Sequence, residues 1–212
     1  MLLERATSAS MHGLLAGPTE ADAVAWVRRK LGSAAHERRV LATAARLFDL
    51  TRDTLGLDDA DAELLRLAAL THDIGRSISD KDHPELGAAM IEKTTALDLS
   101  PATRRRLAFL AHYHRGATPP VSGDPYLAPT DARRPVRAVL ALLRTADALD
   151  HRHLPAARLV LSFAAGRLSV RCVVAADLAR ARRVYTRPKK YRMLEAFLGH
   201  TVRVTVEAET TR

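Results

Sequence analysis

The adjacent pair His72-Asp73, which closes an apolar helical run, constrains the fold more than any other stretch of the chain. The run before it has buried-type residues at helical spacing: Leu64, Leu65, Leu67, Ala68 and Leu70. A carboxylate that enters the core in this way is costly unless it is paired or bound to a cation. A divalent metal is such a partner, and imidazole together with carboxylate suits several metals. The alternative is a helix-end histidine with a capping aspartate.

Periodicity predicts a mainly α fold in which a helical domain is followed by a small basic α/β appendage. Predicted helices cover 20–31, about 34–55, 59–71, 83–95, 101–115 and 136–149. After residue 153, β-rich segments at 158–163, 168–174 and 202–207 enclose short helical segments. We therefore predict a loose leader at 1–19, with Met11 as an alternative start, a helical domain at 20–153 and a subdomain at 154–212.

The net charge of +9 lies in the C-terminal part of the chain. Residues 1–150 hold 20 acidic and 20 basic residues, whereas residues 151–200 hold 11 basic and two acidic ones. Such an excess attracts nucleotides, polyphosphate or nucleic acid, and a solvated basic face is the equal alternative. The aromatic fraction of 4% gives little support to base stacking, so the case for nucleic acid is weak.

Two absences in the sequence bear on location. No apolar stretch approaches the ~20 residues that a membrane span needs, so no membrane partner is expected. The single cysteine, Cys172, excludes an internal disulfide and is typical of a reducing compartment. A cytoplasmic location is the expectation.

Four side chains form a candidate metal centre: His36, the pair His72-Asp73, and Asp147. Each lies at a helix end or in a helix whose other face is apolar, so each can point into one interior cleft. Two imidazoles and two carboxylates leave coordination positions open, which is typical of a catalytic rather than a structural site. For Asp147 the alternative is an ion pair with Arg144, three residues earlier.

This order of His, adjacent His-Asp and distant Asp resembles the HD-domain superfamily of metal-dependent phosphohydrolases, over roughly residues 33–153. The stretches 44–49, 72–76 and 113–115, with the ending at 199–204, look like the C-terminal region of the exopolyphosphatase and guanosine-pentaphosphate phosphatase (Ppx/GppA) family. In that family, N-terminal actin-like domains carry the established chemistry, and they have no counterpart in this sequence. Whether a separate protein supplies them is left open.

A second metal position is suggested by a further resemblance. His83-Pro84-Glu85-Leu86-Gly87-Ala88 looks like a stretch of the HD-GYP phosphodiesterase branch, which holds extra metals, and His114 lies near a histidine pair of that branch. The Asp-Gly-x-Gly-Tyr-Pro signature that should follow is missing, which weighs against hydrolysis of cyclic dinucleotides. The alternative for His83 is a helix N-cap.

The resemblance implies a metal-dependent phosphohydrolase that acts on a nucleotide or another phosphate ester or anhydride. One or two divalent ions (Mn, Fe, Zn, Mg or similar) would bind His36, His72, Asp73 and Asp147, with His83 and His114, and Asp73 would be essential for catalysis. Arg76, Arg115 and Arg144 are candidates to hold substrate phosphate. The alternative is a non-catalytic regulatory module that binds polyphosphate or nucleotide. A homodimer is compatible with the apolar helices.

Overall fold

A computed structural model of the chain describes residues 19–152, 154–175 and 177–209. The first three helices are α1 (Glu20–Leu31), α2 (Ala35–Leu55) and α3 (Asp59–Thr71). A capping box starts α3, because Asp58 and Asp61 each accept from the other's backbone N–H. The predicted bounds of these three helices are confirmed within one residue.

The connection after α3 sets the position of the His-Asp pair. A single 3-10 turn at Ile74–Ser77 follows directly, and α4 (His83–Lys93) packs against it. A Cβ on Gly75 would lie 2.2 Å from the carbonyl oxygen of His83 and 2.5 Å from the backbone nitrogen of Gly87. Only glycine therefore permits this close approach, which brings the start of α4 beside the end of α3.

The helical core is centred on α6 (Arg133–Leu149), which packs against α2, α3 and α5 (Pro101–Tyr113). Most of the α6 side chains are buried, and Leu140 and Leu143 are fully so. Burial of one such leucine contributes about 1.5–3 kcal/mol. The apolar face of α6 thus fixes the helix end that carries Asp147.

The C-terminal part forms a three-stranded sheet in the order β1-β2-β3. Strand β1 (Arg158–Ala164) pairs antiparallel with β2 (Arg167–Val174) through the predicted hairpin, and β2 pairs parallel with β3 (Arg203–Ala208). The crossover holds α7 (Leu178–Tyr185), a 3-10 turn at Pro188–Lys190 and α8 (Arg192–Leu198). Strand β1 contacts α2, and α8 packs on α6.

The mainly α fold with a small C-terminal sheet is therefore confirmed. Buried residues of the sheet, such as Val170 and Val206, belong to the same core cluster as those of the helices. The division at 153/154 stays a prediction. The leader at 1–18, including Met11, lies outside the described residues. Among the helices that are described, none has the length and apolarity needed to cross a membrane.

Candidate metal centre

Three of the predicted histidines are anchored in the same way. In each, Nδ1 lies 2.7–2.9 Å from the carbonyl oxygen of the residue three positions earlier. The pairs are His72 with Ala69, His83 with Asp80, and His114 with Ala111. With Nδ1–H donating to the carbonyl, the lone pair of Nε2 points away from the backbone, which is the usual arrangement of metal-ligating histidines.

His36 is anchored by a carboxylate instead. Its Nδ1 lies 2.7 Å from Oδ2 of Asp150, whose other oxygen accepts from Nε of Arg39 at 2.8 Å. A carboxylate on Nδ1 fixes the ring orientation and raises the basicity of Nε2. The four histidines therefore all present Nε2 to the same interior region, from the ends of four different helices.

A first group of potential ligand atoms comes from His36, His72 and Asp73, and these atoms all lie within 4.8 Å of one another. Oδ1 of Asp147 is 3.3 Å from Nε2 of His36 and 3.6 Å from Nε2 of His72. Both of these Nε2 atoms are buried, and neither finds a hydrogen-bond partner among the described residues. Two buried, unpartnered nitrogen atoms that face two carboxylates fit a cation, since such atoms otherwise cost free energy.

A second group consists of Asp73, His83 and His114, again with ligand atoms within 4.8 Å. Oδ1 of Asp73 is 3.1 Å from Nε2 of His83 and 3.3 Å from Nε2 of His114. The two Nε2 atoms are 3.2 Å apart, so at least one of them lacks a proton. Asp73 thus belongs to both groups and turns one oxygen to each, as a carboxylate between two cations would.

The carboxylates of the cluster favour positive charge on the groups around them. Burial lowers the pKa of His72, but Asp73 and Asp147 outweigh burial and raise this pKa to about 9. Burial opposes ionisation of Asp73, yet His72, His114 and His83 hold the pKa of this carboxyl well below its usual range. The pKa of Asp147 is likewise lowered against burial, by His36 and His72.

The count of charges leads to the same conclusion. Within the described part of the chain, five carboxylates and three guanidiniums are joined to the cluster by hydrogen bonds or ion pairs: Glu37, Asp73, Asp80, Asp147 and Asp150 with Arg39, Arg76 and Arg152. With all four imidazoles neutral, the form in which histidine binds a metal, two negative charges remain. One divalent cation would neutralise them, and two would leave a surplus that attracts an anion.

Two arginines contact Asp73 from the side of a cleft of about 350 Å³. Nε of Arg76 donates to Oδ2 of Asp73 at 2.8 Å, and Nε of Arg152 donates to the same oxygen at 2.9 Å. Arg152 also donates to the buried carboxylate of Glu37. Both arginines, with Lys30 and His36, line the cleft, which therefore opens beside the candidate metal ligands.

The other predicted phosphate ligands are placed differently. Arg144 donates to the backbone carbonyls of Tyr113, Gly116 and Ala117 at 2.8–3.2 Å, so it holds the end of α5 and the loop after it. Arg115 is exposed in that loop. A phosphate contact by either arginine stays a prediction.

Several residues of the site were missed by sequence reasoning. Glu37 follows His36 directly, and Asp150 follows Asp147 by three positions. This closeness to predicted ligands was the signal in the sequence that could have identified them. Their partners are 115 and 114 residues away in the chain, so no spacing rule relates them. Lys190 is also near: burial lowers its pKa, and the neighbouring Asp147 opposes this. The 3-10 turn that carries Lys190 contacts α6.

The family model of Ppx/GppA phosphatase, domain III, matches residues 33–165, which is more than half of the chain and includes every residue of the two groups. A search of curated proteins found no match.

Proposed function

Since the chain belongs to the Ppx/GppA phosphatase domain III family and is thus exopolyphosphatase-related, we propose that it is a metal-dependent phosphohydrolase of the HD type. The observation that carries the proposal is the position of Asp73, whose two oxygens face separate histidine groups in one buried cluster. A domain with only a structural role has no need of four imidazoles that all turn Nε2 to one carboxylate. The substrate would be a nucleotide or another phosphate ester or anhydride.

The residues divide into holding and positioning roles. His36, His72, Asp73 and Asp147 would hold one divalent ion, and Asp73, His83 and His114 a second. Bound there, such an ion would polarise a phosphoryl oxygen and lower the pKa of a coordinated water. Asp150 and the three backbone carbonyls keep the imidazoles in the tautomer that can bind a cation. Thiolate is absent from the cluster and the ligands are N and O, which suits Mn, Fe or Zn.

The size of the cleft favours a small substrate or the end of a chain. Small-molecule sites are typically about 300–1,000 Å³, and the cleft of about 350 Å³ lies at the lower end of that range. A phosphoryl group in this cleft would therefore approach His36, Arg76 and Arg152 end-on. Lys190, close to Asp147, would add positive charge on the side of the C-terminal sheet.

The test is metal content and turnover in matched variants. We expect one or two equivalents of a transition metal by mass spectrometry, after purification without chelator or histidine tag. A phosphatase screen over nucleotides and polyphosphate should then show turnover that Asp73→Asn abolishes. The asparagine keeps the shape of the side chain, and circular dichroism would report whether the variant is folded. Unchanged turnover in folded Asp73→Asn protein would exclude this mechanism.

The second candidate is a non-catalytic module that binds polyphosphate or nucleotide. One observation favours it: basic side chains are exposed together in and after α7, namely Arg180, Arg182, Arg183, Arg187 and Lys189. Polyanion binding by this face would weaken steeply with salt, and neutralising Arg182 and Arg183 would remove that dependence. Absence of metal together with this salt dependence would favour the module over the enzyme. A homodimer and a cytoplasmic location remain predictions.

A further inference from the structure

The cleft beside the cluster has the features of a binding site for a phosphoryl group. Its lining supplies three cationic side chains, Lys30, Arg76 and Arg152, against the carboxylates of Glu37 and Asp80. Arg152 follows the helical region directly and was not among the candidates predicted from the sequence. Its side chain is 30% exposed, so the guanidinium is within reach of a ligand in the cleft.

Arg152 is held in place by two buried carboxylates. Nη2 of Arg152 donates to Glu37, and the same nitrogen lies 2.8 Å from Oδ2 of Asp73. Glu37 is 1% exposed, and its second oxygen, Oε2, has no hydrogen-bond partner among the described residues. Among the described residues, Arg152 is therefore the hydrogen-bonding partner of the buried Glu37 carboxylate, which in turn orients the guanidinium.

Asp73 is the carboxylate that Arg152 would release. Its Oδ2 accepts from both Arg76 and Arg152, and the same oxygen lies 3.7 Å from Nε2 of His36 and of His72. If Oδ2 of Asp73 coordinates a cation between those imidazoles, it becomes a weaker hydrogen-bond acceptor for the two guanidiniums. Each arginine then loses one of its two described carboxylate partners and keeps the other, Asp80 for Arg76 and Glu37 for Arg152, at the edge of a cleft that is large enough for a phosphoryl group.

We propose that Arg152, oriented by Glu37 and assisted by Arg76, is the principal binding residue for a terminal phosphoryl group or inorganic phosphate in this cleft. The guanidinium fork matches a phosphoryl group through two parallel hydrogen bonds, which an ammonium cannot reproduce. The inference rests on the proposed function for its biological substrate, but the site itself can be measured without turnover.

The first experiment is calorimetric titration of the metal-loaded protein with inorganic phosphate at fixed ionic strength. Arg152→Gln should raise the Kd for phosphate at least about tenfold, and Arg152→Lys should lie between, because it keeps the charge and loses the fork. Arg66→Gln is the matched control, since Arg66 lies outside this cleft and its ion pair among the described residues is with Glu63, on the exposed face of α3. If Arg152→Gln bound phosphate as tightly as the unchanged protein, the proposal would be wrong.

The second experiment separates this proposal from the proposed function. Asp73→Asn removes the negative charge that pairs with both guanidiniums. This variant should therefore bind phosphate at least as tightly as the metal-free parent, even though it should not turn over substrate. Adding Arg152→Gln to it should abolish that binding. If phosphate binding depends on Arg152 in a protein that has neither metal nor turnover, the phosphate-binding proposal stands and only the proposed enzymatic function is refuted. Turnover and metal without any effect of Arg152 on phosphate binding or KM would refute only the subsite.

Discussion

Replacement of Asp150 by alanine should weaken metal binding while the protein remains folded. The carboxylate of Asp150 is 2.7 Å from Nδ1 of His36 and is the group that directs Nε2 of this ring into the cluster. Outer carboxylates of this kind change metal affinity by about 10–100-fold, which corresponds to about 1.4–2.8 kcal/mol. The effect should fall on the first group alone, because the histidines of the second group are anchored by backbone carbonyls.

The cost of this replacement to the free energy of unfolding should be of similar size. The other partner of Asp150 is Arg39, whose side chain is 43% exposed, so its guanidinium can be hydrated when the carboxylate is lost. The net loss of such hydrogen bonds is about 1–3 kcal/mol of unfolding free energy. Asp150→Asn keeps an acceptor for Nδ1–H and loses only the charge, so its metal affinity should lie between those of the parent and the alanine variant.

Competition with a chromogenic chelator would measure the affinity for Zn²⁺ or Mn²⁺, and urea denaturation would measure stability. Arg39→Gln is the control, because it removes the second contact of Asp150 and leaves the bond to His36 in place. Its metal affinity should stay close to that of the parent. Equal metal affinities for Asp150→Ala and the parent would refute the assignment of His36 as a ligand that Asp150 orients.

Three further predictions concern the fold. Gly75→Ala places a Cβ 2.2 Å from the carbonyl oxygen of His83 and should lower the unfolding free energy by about 2 kcal/mol or more. Mass spectrometry should show that the metal of the second group is lost. The control is Gly87→Ala, whose Cβ meets only atoms at 3.5 Å or beyond, so its unfolding free energy should stay within about 1 kcal/mol of that of the parent. Burial raises the pKa of Cys172 to about 12, so the thiol stays protonated at pH 8 and should react with a thiol reagent only after denaturation; fast labelling of folded protein would contradict this. Asp58→Ala removes the N-cap of α3 and should cost about 1 kcal/mol, read as a shift of the urea midpoint without a change in m-value.

The sequence predicted those parts of the molecule that depend on local rules. Helix bounds follow from periodicity and caps, and Ser100-Pro101 starts α5 as expected. The clustering of the candidate ligands was predictable because each lies at or near the end of an apolar segment, which forces the polar group inward; their role as ligands stays a prediction. The residues that orient those ligands were not predictable in this way, since the pairing of Asp150 with His36 depends on how α6 packs on α2.

The same limit applies to the arginines. Arg76 was predicted to hold substrate phosphate, which stays a prediction, and it contacts Asp73. Arg152 was counted with the basic C-terminal excess and is instead joined to the cluster. Arg144 had the right spacing for an ion pair with Asp147, but it caps the backbone of the loop after α5. A side chain with five donors takes whichever acceptors the tertiary structure brings near it, so sequence spacing alone does not determine its partner.

The shared oxygen of Asp73 finally implies a coupling between the two kinds of ligand. Oδ2 of Asp73 faces Arg76 and Arg152 on one side and His36 and His72 on the other. This oxygen therefore cannot accept strong hydrogen bonds from the guanidiniums and coordinate a cation at the same time. Metal should therefore increase the affinity for phosphate, and by linkage phosphate should increase the affinity for metal by the same factor. Calorimetry with phosphate at several metal concentrations measures this factor. A factor of one would mean that Asp73 does not divide its oxygen between the two sites, and the arginines would then be structural partners of Asp73.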